Sequence, residues 1–268
     1  MTIDLTPMGF RKTPFTRELD VADRCALPHQ TDVANALEQA VHQRGSAALI
    51  APAGTGKTVV LRTLVDALPD ARYQVRYVKV TGLSKRDLCK EIADVCGLAP
   101  TGIYPALVRK LQEAFAHGVD VDGIRPVLLL DEAHDLRPES LAMLRLITNF
   151  EMDSRLVVAV ILAGQPPLQQ LINRPDQLAI AQRLAHFATL RLLSRDETRD
   201  YVLHRCAIAG AQTAPFDDQA YEAIHEISHG NLRAIDQLAL KAILRVADKG
   251  KQAVAAGDVI EARKDLAL

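Results

Sequence analysis

With 268 residues, 49 % of them hydrophobic, the chain can build one large domain or a core with a small satellite. Lys and Arg number 32 against 33 Asp and Glu, a net charge of −1, so a nucleic-acid partner would need a local basic patch. No apolar run is long enough to cross a bilayer, and the absence of tryptophan with 4 % aromatic content argues against a stacking platform for single strands. The N-terminal MTIDLTPMGFRKTPF lacks the apolar stretch of a secretory signal. Cys25, Cys89, Cys96 and Cys206 form no CxxC pair, so neither a zinc site nor a disulfide framework is expected, and a reduced cytoplasmic setting fits.

Along the chain, an irregular N-terminal stretch leads into TDVANALEQAVHQRG, which has helical spacing with Thr31 or Asp32 as N-cap and Gly45 as a stop. Short apolar runs follow: SAALIA, YQVRYVKV, PVLLLDE, RLVVAVILAG and FATLRLL. Between them lie helix-period segments, among them TVVLRTLVDAL, SKRDLCKEIADVCG, YPALVRKLQEAF and ESLAMLRLITNF. This alternation predicts a parallel sheet covered by helices on both faces. From Ser194 every segment reads as helix, with Gly210 and Gly230 where helices should end. The expected organisation is an α/β core over 1–193, in which 1–45 hold the N-terminal segment and first helix, and a helical lid over 194–268.

APAGTGKT, Ala51 to Thr58, follows a predicted strand and opens a predicted helix, the context a phosphate-binding loop requires. Its glycines let the backbone wrap an oxyanion, so that N–H groups from Ala53, Gly54, Thr55, Gly56, Lys57, Thr58 and Val59 can face it. Lys57 would reach the β- and γ-phosphates of ATP and the Thr58 hydroxyl would ligate Mg²⁺. The leading position is Ala51 in place of glycine, a small residue that the turn accommodates. VLLLDEAH, Val127 to His134, is an apolar strand ending in two acids at the carboxyl edge of the sheet, where α/β folds bind ligands. Asp131 would hold Mg²⁺ through its water shell and Glu132 would polarise an attacking water, which points to hydrolysis as well as binding. For His134 two readings stand: a helix-start cap, or contact with substrate or a neighbour.

At these residues the chain resembles the AAA+ ATPases, and within them the ExeA-like group of secretion-pathway ATPases with the nearby TniB-, IstB-, MuB- and TnsC-type transposition helpers. The resemblance runs from MGFRKTPFTRE through APAGTGKT, DEAHDL, LRLITNFEMDSRLVVAVILAGQPPL, AQRLAHFATLRLLSRDETRDYVLHR and SHGNLRAIDQLALKA to VIEARKDL. It implies a P-loop NTPase core of three αβα layers around a five-stranded parallel sheet, then a small all-helical lid. It places Gln165 as the first sensor, orienting the lytic water beside Glu132, with a loop-capping amide as the other reading. Arg233 in GNLR resembles the sensor-two arginine; Leu232 stands where the family often has proline. Arg183 is the candidate arginine finger supplied to a neighbouring protomer, with Arg174 its competitor. Residues before the first strand cover adenine in related proteins, which points to Phe15, Pro28 and His29, Phe15 being equally readable as a core aromatic.

The resemblance implies a homo-oligomer, ring or helical filament, assembled with ATP on duplex DNA without sequence preference, recruiting a transposase and dispersing on hydrolysis. Lys79, Lys85 and Arg86 are the local basic candidates for phosphate contact, Lys85 and Arg86 being also readable as solvated residues of a first helical turn. Repetition through an oligomer would turn a few charges per copy into a continuous basic track. Secretion-pathway members usually add a membrane segment and an envelope-binding region, and the chain reaches Leu268 with neither, so no membrane partner is expected. A nucleotide-gated scaffold without turnover is the remaining alternative, and Glu132 argues against it.

Overall fold

The computed structural model describes residues 4–16, 23–213 and 215–266. Their contacts group into two compact units: one of His29–Ala53 and Lys57–Leu190, the other of the described residues of Met1–Pro28, Gly54–Gly56 and Arg191–Leu268. Arg17 and Glu18, at the end of the N-terminal family motif, lie outside the described residues.

The first unit is built on five strands: β1 (Ser46–Ile50), β2 (Tyr73–Lys79), β3 (Arg125–Asp131), β4 (Ala159–Gly164) and β5 (Leu184–Thr189). They form one sheet in the order β2-β3-β4-β1-β5, every neighbouring pair parallel. Parallel pairing needs crossovers, and helices supply them: α1 (Pro28–His42) leads into β1, α2 (Lys57–Ala67) follows it, α3 (Lys85–Val95) and α4 (Tyr104–Asp120) follow β2, and α5 (Pro138–Ile147) follows β3. Two short helices, α6 (Pro167–Ile172) and α7 (Leu178–Ala181), sit between β4 and β5.

Alternation along each strand sorts side chains to two faces. Leu128 and Leu130 of β3 join Ala48, Ile50 and Val160 in a core with residues of α3, α4 and α5. Val127 and Leu129 join Leu49 and Ile161 in a second core with residues of α1 and α2. The result is the three-layer αβα arrangement. Both faces of β3 and β4 are apolar because both are covered.

Where elements differ from expectation the reason is local. Helix α1 starts at Pro28, ahead of Thr31, because proline's fixed φ suits a first helical turn. Arg44, at φ 61°, turns the chain out of α1; Gly45 serves packing, since a Cβ there would fall 2.9 Å from Ala185 Cβ. Strand β4 starts at Ala159, four residues into the apolar run, because Arg155 is bridged antiparallel to Phe150 and belongs to the preceding turn.

The second unit holds α8 (Arg195–Ile208), α9 (Asp218–Ser228), α10 (Leu232–Asp248) and α11 (Ala256–Lys264). Ser194 caps α8 in a reciprocal box with Glu197, satisfying two of the first turn's backbone donors. The N-terminal segment, expected with the α/β core, packs here instead. Leu5, Met8, Phe10 and Phe15 are buried among Val202, Cys206, Ile235 and Ile243. Arg205, itself buried, donates to the Thr16 carbonyl at 2.6 Å and lies over the Phe15 ring at 5.7 Å. The four cysteines are free thiols, and burial pushes the Cys206 thiol up to about 12.

Gly230 carries an argument of its own. It has φ 76°, directly after the left-handed His229 that ends α9, and a Cβ there would overlap the backbone of Leu193. Because the obstacle is backbone, no rotamer change relieves it. Gly230→Ala is expected to cost about 2–4 kcal/mol of stability, measured by denaturant unfolding, combining positive-φ strain with a forced shift of the chain.

Candidate functional site

Residues Ala51 to Thr58 leave β1 and enter α2 as a glycine loop. Gly54 and Gly56 have φ 78° and 94°, which an L side chain rarely adopts. A Cβ on Gly54 would also overlap the carboxamide of Asn231, the residue that caps α10 by accepting from Ala234 N–H at 3.2 Å. Arg233 N–H donates to Gly54 O at 3.3 Å, and its side chain is exposed with no ion pair among the described residues. The first turn of α10 therefore rests on the glycine loop within one unit.

In the other unit, Lys57 opens α2 and reaches the end of β3. Its Nζ donates to both acids there, to Asp131 Oδ1 and, at 2.7 Å, to Glu132 Oε1. Side-chain exposures of 11 % for Lys57 and 8 % for Asp131 leave little water to screen the charges. A buried carboxylate needs a partner, and here the lysine is one. Asp131 Oδ1 also accepts from Glu132 N–H at 2.8 Å, and Oδ2 from the Tyr77 hydroxyl at 3.1 Å. Burial first, then the Asp131 charge, pushes the Tyr77 phenol up to about 12, so it stays protonated and keeps donating.

Glu132 has φ 55°, a left-handed conformation uncommon for a side-chain-bearing residue, and starts the 3₁₀ turn Ala133–Asp135. That backbone turn sends Glu132 to Lys57 and sets His134 against the end of β4. Gln165, the next residue after β4, meets His134 with both its backbone and its amide. Since β4 lies between β3 and β1 in the sheet, Gln165 follows the strand flanked by those carrying the acids and the glycine loop.

These residues fit a nucleoside triphosphate with a divalent cation. Lys57 offers a cation, Thr58 an exposed hydroxyl-bearing residue in the first turn of α2, and Asp131 a buried carboxylate. Among the described residues no three His, Cys, Asp or Glu converge as a metal cage. Magnesium bound to phosphates needs none, since it takes one or two protein ligands and draws the rest from phosphate oxygens and water.

The other expected residues are distributed as follows. Ala53 is exposed, Thr55 buried, and Val59 half-buried in α2. Phe15 is 4 % exposed and under Arg205, so the ring expected against adenine is a core aromatic of the helical unit. Pro28 and His29 form the first turn of α1. Arg183 is tied within its own chain: Nη1 donates to the Arg145 carbonyl at 3.1 Å and to Thr148 Oγ1 at 2.9 Å, and Nη2 to Asp153. Asp153 closes a run of three left-handed residues, Glu151, Met152 and Asp153. Arg174 is bidentate to Asp176 at 3.0 and 3.3 Å.

Lys79 pairs in register with Asp131, at the edge of the sheet. Lys85 and Arg86 are exposed in the first turn of α3, and Lys85 Nζ lies 5.5 Å from the centre of the Tyr104 ring. Two participants escape a reading of motifs. Tyr77 carries a weak signal, two residues before Lys79 on the same face of β2. Asn231 carries the signal of a helix cap only.

A β-α-β sheet with a glycine loop after its fourth strand in spatial order, and a lysine from that loop on two acids of β3, defines a P-loop nucleotide-binding fold of the AAA+ type. The AAA domain family matches residues 39–172, half of the chain, and the chain belongs to that family. It is similar to general secretion pathway protein A of Aeromonas hydrophila, 33 % identical over 220 residues. That alignment covers 80 % of this chain and 39 % of the relative, so the chain spans about two fifths of the relative's length. The similarity supports membership of the ExeA-like group.

Among solved structures the fold is similar to Cdc6p from Pyrobaculum aerophilum (TM-score 0.72, 19 % identity, 98 % of this chain and 71 % of that one). It is also similar to the Aeropyrum pernix ORC1 protein in complex with DNA (0.67, 20 %, 96 % and 69 %) and to the RuvB branch migration motor of Thermotoga maritima (0.58, 16 %, 89 % and 68 %). No helix among the described residues is long and apolar enough to cross a membrane.

Proposed function

We propose that the chain is a magnesium-dependent ATPase that assembles on duplex DNA in DNA transposition, from the cytoplasm, as a homo-oligomer that recruits a transposase. The observation that carries the ATPase part is the placement of Lys57 on both Asp131 and Glu132. Bound ATP with Mg²⁺ would supply the phosphoanhydride bond and a phosphate charge that competes with the acids for Lys57. Lys57 would bind phosphate, Asp131 and Thr58 would hold the hydrated cation, Glu132 would accept a proton from water, and Gln165 would orient that water. Arg183 belongs to a neighbour's pocket.

For Arg183, whose side chain is 22 % exposed, to serve a neighbour it must leave Asp153, the Arg145 carbonyl and Thr148 Oγ1. These three contacts are what the contacts of an oligomer must offset before the arginine reaches a neighbour's site. Arg183→Ala should leave ATP affinity within about twofold while hydrolysis per site falls about 10³-fold, read by nucleotide titration beside a phosphate-release assay. Equal losses in both would assign Arg183 a structural role.

DNA contact is supported by Lys85 and Arg86. Both are exposed cations in the first turn of α3, beside Asp87, where they oppose the helix dipole by about 0.3–1 kcal/mol each and an anionic backbone would offset that cost. The same helix end points backbone N–H groups outward, which suits backbone phosphates and no particular base. The fold is shared with a protein solved in complex with DNA, at an identity that supports fold alone. With a slowly hydrolysed ATP analogue present, the Lys85→Ala/Arg86→Ala variant should bind duplexes of unrelated sequence equally weakly. Its plot of log K against log salt should be flatter by about 2 per copy in contact. An unchanged slope would remove this surface. Failure of the unaltered protein to bind DNA at low salt would remove the transposition reading. It would favour a role in secretion, to which the similarity with general secretion pathway protein A points.

A further inference from the structure

His134 touches both groups on which the hydrolysis reading depends. Its ring, in the 3₁₀ turn after Glu132, has a side-chain exposure of 16 %. Nδ1 lies 3.5 Å from Glu132 Oε2 and accepts from the backbone N–H of Gln165 at 3.4 Å. Nε2 lies 3.1 Å from Gln165 Nε2, with Asp135 Oδ1 more distant at 4.0 Å. The contact depends on Gly164: a Cβ there would sit 2.9 Å from His134 N and 3.0 Å from Leu168 Cδ2. The end of β4 can approach the turn this closely only without a side chain.

The hydrogen bonds constrain one another. An Nδ1 that accepts from a backbone N–H carries no proton, so in the neutral ring the proton is on Nε2. Two N–H donors cannot face each other at 3.1 Å. The hydrogen-bond network therefore assigns the Gln165 amide with oxygen and nitrogen exchanged, its oxygen towards His134 and its NH₂ group away.

We propose that His134 is a positioning residue for ATP hydrolysis: it orients the Gln165 carboxamide, oxygen inward and NH₂ outward, so that Gln165 donates to the attacking water beside Glu132. This rests on the ATPase reading above. It explains why the chain carries histidine after its acids: imidazole is a side chain short enough for the turn that can accept on one edge and donate on the other.

The test is steady-state ATP hydrolysis by the full chain with magnesium, together with ATP affinity, for His134→Leu, His134→Gln and Gln165→Ala. Leu keeps bulk and removes both functions; Gln restores a donor at the position of Nε2. His134→Leu should lower kcat about 10- to 100-fold with KM and ATP affinity within twofold, the size of effect that misplacing a reacting group produces. His134→Gln should recover most of it. The double variant His134→Leu/Gln165→Ala should be no slower than Gln165→Ala, because both remove one interaction. A kcat for His134→Leu within twofold of the unaltered protein, or losses that multiply in the double variant, would overturn the role. Absence of turnover by the unaltered protein would instead sink the ATPase reading itself, and this role with it.

Discussion

Lys57→Ala lowers ATP affinity about 100-fold or more and, without nucleotide, lowers the melting temperature too. The first effect follows from losing a charge-assisted hydrogen bond to phosphate, worth about 1.5–3 kcal/mol, in a pocket with little screening water. The second follows from what Lys57 does in the free protein: it is the cation for a buried Asp131 and for Glu132. Truncating it leaves two adjacent carboxylates with the Tyr77 hydroxyl and one backbone N–H as donors, too little for two charges. Breaking a buried pair from one side costs about 3–5 kcal/mol, so the stability loss is large enough to see by thermal unfolding. Millimolar Mg²⁺ should restore part of it in this variant by replacing the lost cation. Unchanged nucleotide affinity in Lys57→Ala would remove the phosphate-loop assignment.

Glu132→Gln lowers the hydrolysis rate about 10²- to 10⁴-fold while ATP binds as tightly as before or up to about tenfold more tightly. The amide keeps the shape and can still accept from Lys57, but it cannot take a proton from water. It also removes a negative charge beside the triphosphate and weakens the contact that competes with phosphate for Lys57. Loss of turnover with retained binding should hold the protein in its ATP-bound assembly, seen as particles that persist for hours by electron microscopy. A scaffold that uses ATP only as a switch would assemble and disperse alike with or without the carboxylate.

Much of the core was legible because each signal had one physical reading. The apolar runs at 127–131 and 159–164 had to be covered strands, and the glycines at 54 and 56 had to turn a loop. Ser194 with Glu197 three residues on is a cap that sequence alone specifies. The rest depended on distance along the chain. Phe15 reads alike as a base-stacking ring or a core residue; only packing against Val202, Ile235 and Arg205, some 190 residues later, decides it. Tyr77 carried only a weak signal because its partner, Asp131, stands on another strand. Arg183 stood out by motif, yet its hold on Asp153 depends on three consecutive left-handed residues that contain no glycine to announce them.

Calorimetric titration of the purified chain with ATP, in Mg²⁺ and in excess chelator, tests the central claim most directly. One ATP per chain should bind in the micromolar range with Mg²⁺, more weakly in chelator, and beyond detection in Lys57→Ala. Absence of heat at millimolar ATP, or binding indifferent to both Mg²⁺ and Lys57, would contradict it.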